Sequence, residues 1–390
     1  MIRPNDPESS MLEKVVTAID KQFQQESGFG LRSISYALFY HYLFKSAGDT
    51  TYALRRDHCL HDIIKSLEYV TKPAQELSRY PFLFNCLAHI MSDPAPEAAL
   101  PPTLREAFDK WNQRLAASPF FEGVTSKLGY LSGWAGVMKY LLLLPASFEQ
   151  RQQLLETYGC SVKRQLLFMH DHDLFFLPYE PLQTDMGLAQ GICGVLMMMA
   201  DLAAGFENEC ITCFLSEAAA RLIRLRQKVD QYENKCSFFP YRIDNHQMVA
   251  FYGNSLNWGN SDLGHALLLC KAGHLCGNEH YRSVGEIIAL NSLLRTTPEH
   301  TEINDATLAR GASGTAVLYR KLYEVMKHED LLKGYNYWIA NTITLVRDEM
   351  NEGKYWHKEA DILEGLPGIG LTLLGHEKGN TTDWSSIILV

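Results

Sequence analysis

The 390-residue chain has no run of Lys or Arg, and its formal net charge is −9. A nucleic-acid partner leaves a basic footprint, so that class is excluded. Its longest apolar stretches, such as 140–144 and 195–200, are far too short to span a bilayer. The first residues, MIRPNDPESSMLEK, lack the apolar core of a signal peptide, and the expectation is a cytoplasmic protein with no membrane span. Tandem C-x-x-C pairs are missing, which removes the common zinc-ribbon patterns. The DD dipeptide of an aspartate-rich diphosphate site is missing too. Low-complexity segments are lacking, and alternating strand patterns are scarce.

What is present is an ordinary globular composition, with 46% hydrophobic and 21% charged residues. Nine Cys stand beside fourteen His. The thiols are scattered and odd in number, which reads as reduced, mostly buried cysteine. Apolar residues fall at helical spacing, as in Tyr36, Phe39, Tyr42 and Leu43, or Leu318, Tyr319, Leu322, Tyr323 and Met326. Ser10 and Glu13 form a capping-box signature for a first helix. The stretch 228–247 is polar and reads as a long inter-helix loop. Ser237 to Arg242 is a candidate extended segment that Pro240 confines to a loop or an edge.

An internal repeat organises the chain. Its copies are YLSGWAGVMKYL from Tyr130, MGLAQGICGVLMMM from Met186, LNWGNSDLGHALLL from Leu256, TLARGASGTAVLY from Thr307 and ILEGLPGIGLTLL from Ile362. A weaker copy starts at Gly28. In each copy a turn of small residues opens an apolar helix. Glycine permits the tight turn and close approach, and a helix N-terminus presents unpaired N–H groups. Repeats of this size are helical hairpins, and closing them in a ring gives an all-α, α/α toroid. An open α-solenoid is the alternative; unequal repeat lengths and the want of polar end caps favour the closed ring. A single domain, residues 1–390, is expected.

These repeats resemble the lanthionine synthetase C-like (LanC-like) family of lanthipeptide biosynthesis. MGLAQGICG is similar to its N-L-G-L-A-H-G-I-x-G segment, LNWGNSDLG to its W-C-Y-G-x-x-G, LARGASG to its L-C-H-G-x-x-G, and ILEGLPGIGLTLL with DWSSIILV to its ending. The resemblance implies an α/α barrel with a zinc ion at one mouth. There the metal holds a Cys thiol of a precursor peptide as the thiolate that adds to dehydroalanine or dehydrobutyrine.

The departures fall on that chemistry. Gly259 stands at the first zinc position, and Ala309 and Arg310 at the other two. Gly and Ala offer no ligand atom and Arg stays protonated. Asn260 replaces the family's Tyr, Gln190 replaces a His, and Gly129 stands at an acidic position. The resemblance therefore implies a member without the zinc site and without a cofactor. It would be a non-catalytic protein binding a precursor peptide, a dehydratase or a second cyclase, or else a zinc-independent cyclase. Gln190, Trp258, Asn260, Asp262, Arg310 and Glu364 are the expected pocket residues. Asp262 and Glu364 facing one mouth raise a third option, a hydrolase with paired carboxylates. Other ligand-rich groups read as structural: Cys270, His274 and Cys276 with His265; His58, Cys59 and His61; and His170, Asp171, His172 and Asp173. Cys193, at a helix start, reads as a packed thiol.

Overall fold

The structure is a computed structural model. It describes residues 10–26, 31–95, 99–118, 128–145, 151, 155, 183–206, 209–247, 249–355, 361–379 and 383–390. The tetrad from His170 to Asp173 lies outside them.

Seven helices carry the inner ring: α2 (Ile34–Ala47), α5 (Pro81–Met91), α7 (Trp134–Leu143), α8 (Ile192–Phe206), α10 (Asp262–Leu275), α13 (Ala312–Met326) and α15 (Leu366–Lys378). Each packs on the next in that order, and α15 returns to α2, so the ring closes. Buried residues occupy all sides of these helices; ten consecutive residues of α2, Ile34 to Leu43, are buried. A helix apolar all round needs cover on every face. An outer layer supplies it: α3 (Thr50–Glu68) on α2, α9 (Glu209–Arg224) on α8, α11 (Glu279–Ser292) on α10 and α14 (Glu329–Asn351) on α13. The first helix, α1 (Met11–Gln25), packs on α15 and carries the capping box, with Glu13 N–H to Ser10 Oγ at 3.2 Å and Ser10 N–H to Glu13 Oε2 at 3.0 Å.

The repeat glycines have a steric cause. A Cβ on Gly314 would stand 1.9 Å from the Leu308 carbonyl oxygen, and one on Gly368 would stand 1.8 Å from that of Ile362. Each helix folds back so tightly on its own turn that only glycine fits.

The closing segment fills the ring's centre. A 3₁₀ helix, Asp383–Ile388, packs on α5, and Trp384, Ile387, Ile388, Leu389 and Val390 are buried. Across the ring, Trp258 Nε1 donates to the Ile388 carbonyl at 2.9 Å, and Tyr130 hydroxyl donates to that of Ile387.

One antiparallel sheet stands beside the helix starts. Strands β1 (Gln183–Asp185), β2 (Arg242–Asp244) and β3 (Val249–Phe251) pair in that order, with Thr184 opposite Ile243 and Ile243 opposite Ala250. The polar stretch 228–247 is thus more than a loop, since it ends in β2; Ser237 to Tyr241 is irregular and only Arg242 joins the strand. Strands of three residues are too short for alternation to announce them.

Candidate functional site

Main-chain hydrogen bonds bring five turns into register. Leu131 N–H bonds to the Ala189 carbonyl at 2.9 Å, Ala189 N–H to that of Gly259 at 3.2 Å, Gly259 N–H to that of Ala309 at 3.3 Å, and Ala309 N–H to that of Leu363 at 2.8 Å. Leu131, Ala189, Gly259, Ala309 and Leu363 are therefore equivalent positions. The next residue of each turn, Ser132, Gln190, Asn260, Arg310 or Glu364, stands in one arc around the mouth.

Side-chain carboxylates and amides shape the turns. Asp361 Oδ1 accepts the Leu363 and Glu364 amides at 2.7 and 2.8 Å, and Asn257 Oδ1 accepts the Asn260 amide at 3.0 Å. Asp185 and Asp305 cap their turns through the amides of Gly187 and Thr307 at 2.7 and 2.8 Å. These are Asx turns, the local competition that Asp and Asn side chains offer the backbone.

The arc forms the rim of a cavity of about 960 Å³, whose wall includes Phe239, Tyr241, Tyr252, Asn257, His265 and Glu302. Arg310 Nε lies 3.5 Å from Glu364 Oε1, with side chains 78% and 45% exposed. Ser132 hydroxyl donates to Gln190 Oε1 at 2.9 Å. Gln190 also packs against Gly129, where a Cβ would meet the Gln190 backbone oxygen and Oε1 at 2.6 Å each. The arrangement leaves no room for an acidic side chain at 129.

Gln190, Asn260, Arg310 and Glu364 all line this cavity. Trp258 and Asp262 line the same cavity but spend their polar groups elsewhere. The Trp258 indole is fully buried and holds the closing segment. Asp262, only 2% exposed, pairs with Arg295 at 3.0 Å and accepts the amides of Phe238 and Phe239 at 3.0 and 3.1 Å. Burial raises its carboxyl pKa, while Arg295 and the two amides oppose that shift. The expected pairing of Asp262 with Glu364 does not form, because each carboxylate faces a different arginine.

Sequence reasoning missed Ser132, whose place becomes visible only when the turns are aligned. It also passed over His265 as a cavity residue. That imidazole is buried on α10, stacked on Phe239 at 4.7 Å between centroids, with Nδ1 2.9 Å from the Ser261 carbonyl. Burial lowers its pKa.

The family described as "Lanthionine synthetase C-like protein" matches residues 9–389. The chain belongs to the lanthionine synthetase C-like family. Among solved structures, this LanC-like chain is similar to one titled "Nisin cyclase", with a TM-score of 0.73 and 17% sequence identity, covering 97% of this chain and 96% of that one. That likeness establishes the α/α toroid. No curated protein matches at the sequence level.

The zinc that the resemblance implies does not fit the residues at its positions. Gly259 and Ala309 present no donor atom, and Arg310 presents a cation already facing Glu364. Among the described residues, no group of three or more His, Cys, Asp and Glu is arranged to hold a metal. Cys270 is buried, its pKa pushed up to about 12, while His274 on the same helix is exposed. His58 and His61 are exposed on α3 beside Asp62, and Cys59 is buried. Cys193 is buried, and burial pushes its thiol pKa far up, away from reactivity. Among the described residues, no helix is long and apolar enough to cross a membrane.

Proposed function

We propose that this LanC-like chain serves lanthipeptide modification by binding a precursor peptide, without zinc chemistry at its mouth. The observation that carries this reading is the Arg310–Glu364 pair, 3.5 Å apart where the family holds a metal ligand. A fixed guanidinium repels a divalent cation and attracts carboxylates and carbonyl groups. Around it, Gln190 and Asn260 line the cavity and offer neutral donors and acceptors that match a peptide backbone, and Ser132 bonds to Gln190. The cavity of about 960 Å³ is large enough for several residues of an extended peptide.

Calorimetry tests the reading. The probe is a Ser/Thr/Cys-rich precursor peptide, alone and with a lanthipeptide dehydratase or a second cyclase. Micromolar binding that weakens about tenfold in Arg310→Ala supports it. No binding to peptide or partner overturns it, and so does stoichiometric zinc in the purified protein.

One observation favours a second reading, a zinc-independent cyclase. Arg310 is 78% exposed at the rim, open to an anion that develops on a bound peptide. In that reaction a Cys sulfur bonds to Cβ of a dehydroamino acid, the Cα=Cβ bond becomes single, and the thiol's proton is balanced by one delivered to Cα. Counting free thiols of a dehydrated, Cys-containing precursor separates the readings. Consumption above the protein-free rate, lost in Arg310→Ala, supports the cyclase; an unchanged rate removes it. A carboxylate-pair hydrolase has no support, since Asp262 is buried against Arg295.

A further inference from the structure

Among the described residues, eight cysteines stand as thiols, and five of them are buried, the usual place for this residue. The other three, Cys210, Cys213 and Cys276, belong to two elements that pack on each other. Cys210 and Cys213 are exposed, one turn apart at the start of α9. Cys276 caps the far end of α10, and its Sγ donates to the Thr212 carbonyl of α9 at 3.5 Å. It also bonds to the Ser216 side chain, and Tyr281 hydroxyl pins the same turn to the Ser216 carbonyl at 2.9 Å. Cys213 follows Thr212 directly and precedes Ser216 by three residues, so it adjoins both groups that the Cys276 thiol touches. The planar peptide keeps the Thr212 oxygen about 3 Å from Cys213 Cα, which puts the Cys276 sulfur within about 6.5 Å of that Cα. Rotation about the Cα–Cβ bond of exposed Cys213 swings its sulfur toward Cys276. The two thiols differ in character. Burial raises the pKa of Cys276, Ser216 opposes that shift, and the Cys213 thiol beside it raises it further. A reagent therefore meets Cys213 first.

We propose that Cys213 and Cys276 form a reversible oxidation site, which the disulfide of a small thiol such as oxidised glutathione converts to a disulfide bond between α9 and the end of α10. Cys213 gives its proton to solvent, and the thiolate attacks one sulfur of the reagent. The reagent's S–S bond breaks, and one of its halves leaves as a thiolate that takes up a proton. Cys276 then loses its proton, and its sulfur bonds to Cys213 Sγ and expels the second half in the same way. The chain gives up two electrons and two protons, and the reagent gains both as two thiols. The bond staples an outer helix onto an inner one. Cys276 lies at the opposite end of α10 from Asp262, so the site is separate from the mouth and independent of the peptide-binding reading.

The test incubates the folded full chain with oxidised glutathione and maps its peptides by mass spectrometry without reduction. The expected result is a cross-linked peptide pair joining Cys213 to Cys276, with both thiols lost together and both recovered on adding dithiothreitol. The parent chain gives this result directly, so it does not hang on the folding of a variant. Two substitutions then test the order of attack, and Cys276→Ser keeps a hydroxyl to donate to Thr212. In Cys276→Ser the reaction should halt with one glutathionyl group on Cys213, since the resolving thiol is gone. In Cys213→Ser the thiol of Cys276 should react at least tenfold more slowly than Cys213 does in the parent. No cross-link in the parent overturns the proposal. So does a parent that halts with glutathione on Cys213, or a bond from Cys210 to either thiol in place of the expected one. Undiminished reaction of Cys276 in Cys213→Ser overturns it as well, because Cys213 would then not be the point of entry.

Discussion

Arg295 is the only cation bonded to the buried carboxylate of Asp262 among the described residues, at 3.0 Å, and it also bonds to three main-chain carbonyls, those of Asn254, Ser255 and His300. Asp262 in turn holds the amides of Phe238 and Phe239. One ion pair therefore ties together the start of α10, the strand-bearing loop and the turn before Trp258. Replacing Asp262 by Asn leaves a buried guanidinium without its counter-charge, and the expected loss is about 3–5 kcal/mol in urea unfolding. Asp262→Leu with Arg295→Met should cost less than the sum of the single changes.

The two kinds of turn glycine should separate cleanly. Gly314→Ala puts a methyl 1.9 Å from a backbone oxygen and should cost about 3 kcal/mol, with a lowered melting temperature. At Gly259 the nearest atoms to a Cβ stand 3.5, 3.6 and 3.7 Å away, ordinary contact distances. Gly259→Ala should change stability by no more than about 0.5 kcal/mol.

The same spacing means that ligands can be put back. Gly259→Cys, Ala309→Cys and Arg310→His together restore the family's donor set on an intact backbone. The triple variant should purify with, or take up, one zinc per chain by metal analysis, while the parent takes up none specifically. A folded triple variant that binds no zinc would show that the turns have moved as well as the side chains.

Acid stability should carry the signature of a buried histidine. His89, bonded to the Tyr42 hydroxyl at 2.6 Å, has its pKa pushed down to about 4 by burial. Between that value and about 6.5 the unfolded chain binds a proton that the folded chain refuses. Stability from this group is full above about pH 6.5 and falls as the pH drops toward 4, a loss of about 3 kcal/mol at most. Asp93, held low by His41 and Lys45, loses its contribution only at more acidic pH, below the ordinary carboxylate range. His89→Gln should flatten the melting temperature between pH 6.5 and 4 relative to the parent.

The toroid was legible because glycine at 314 or 368 is a steric demand, which writes itself into the sequence at every repeat. That Gly259 and Ala309 carry no donor atom and Arg310 carries a permanent cation is readable directly, since a ligand is a residue type. The partner of Asp262 was not. Arg295 lies outside the repeat motif, and nothing in its neighbours marks it as buried. Ser132 and His265 were missed because their roles come from backbone register and burial, which no local pattern encodes. The destination of DWSSIILV was hidden likewise: an apolar ending shows that it is buried, not that Tyr130 and Trp258 receive it inside the ring.

The bonds that align the mouth, from Leu131 through Ala189, Gly259 and Ala309 to Leu363, are made by the main chain alone. No side chain in the arc is needed to hold the arc. Selection can therefore exchange residues 132, 190, 260, 310 and 364 as freely as tools in a rack, without renegotiating the fold beneath them. The vessel stays intact whatever set of side chains its mouth carries.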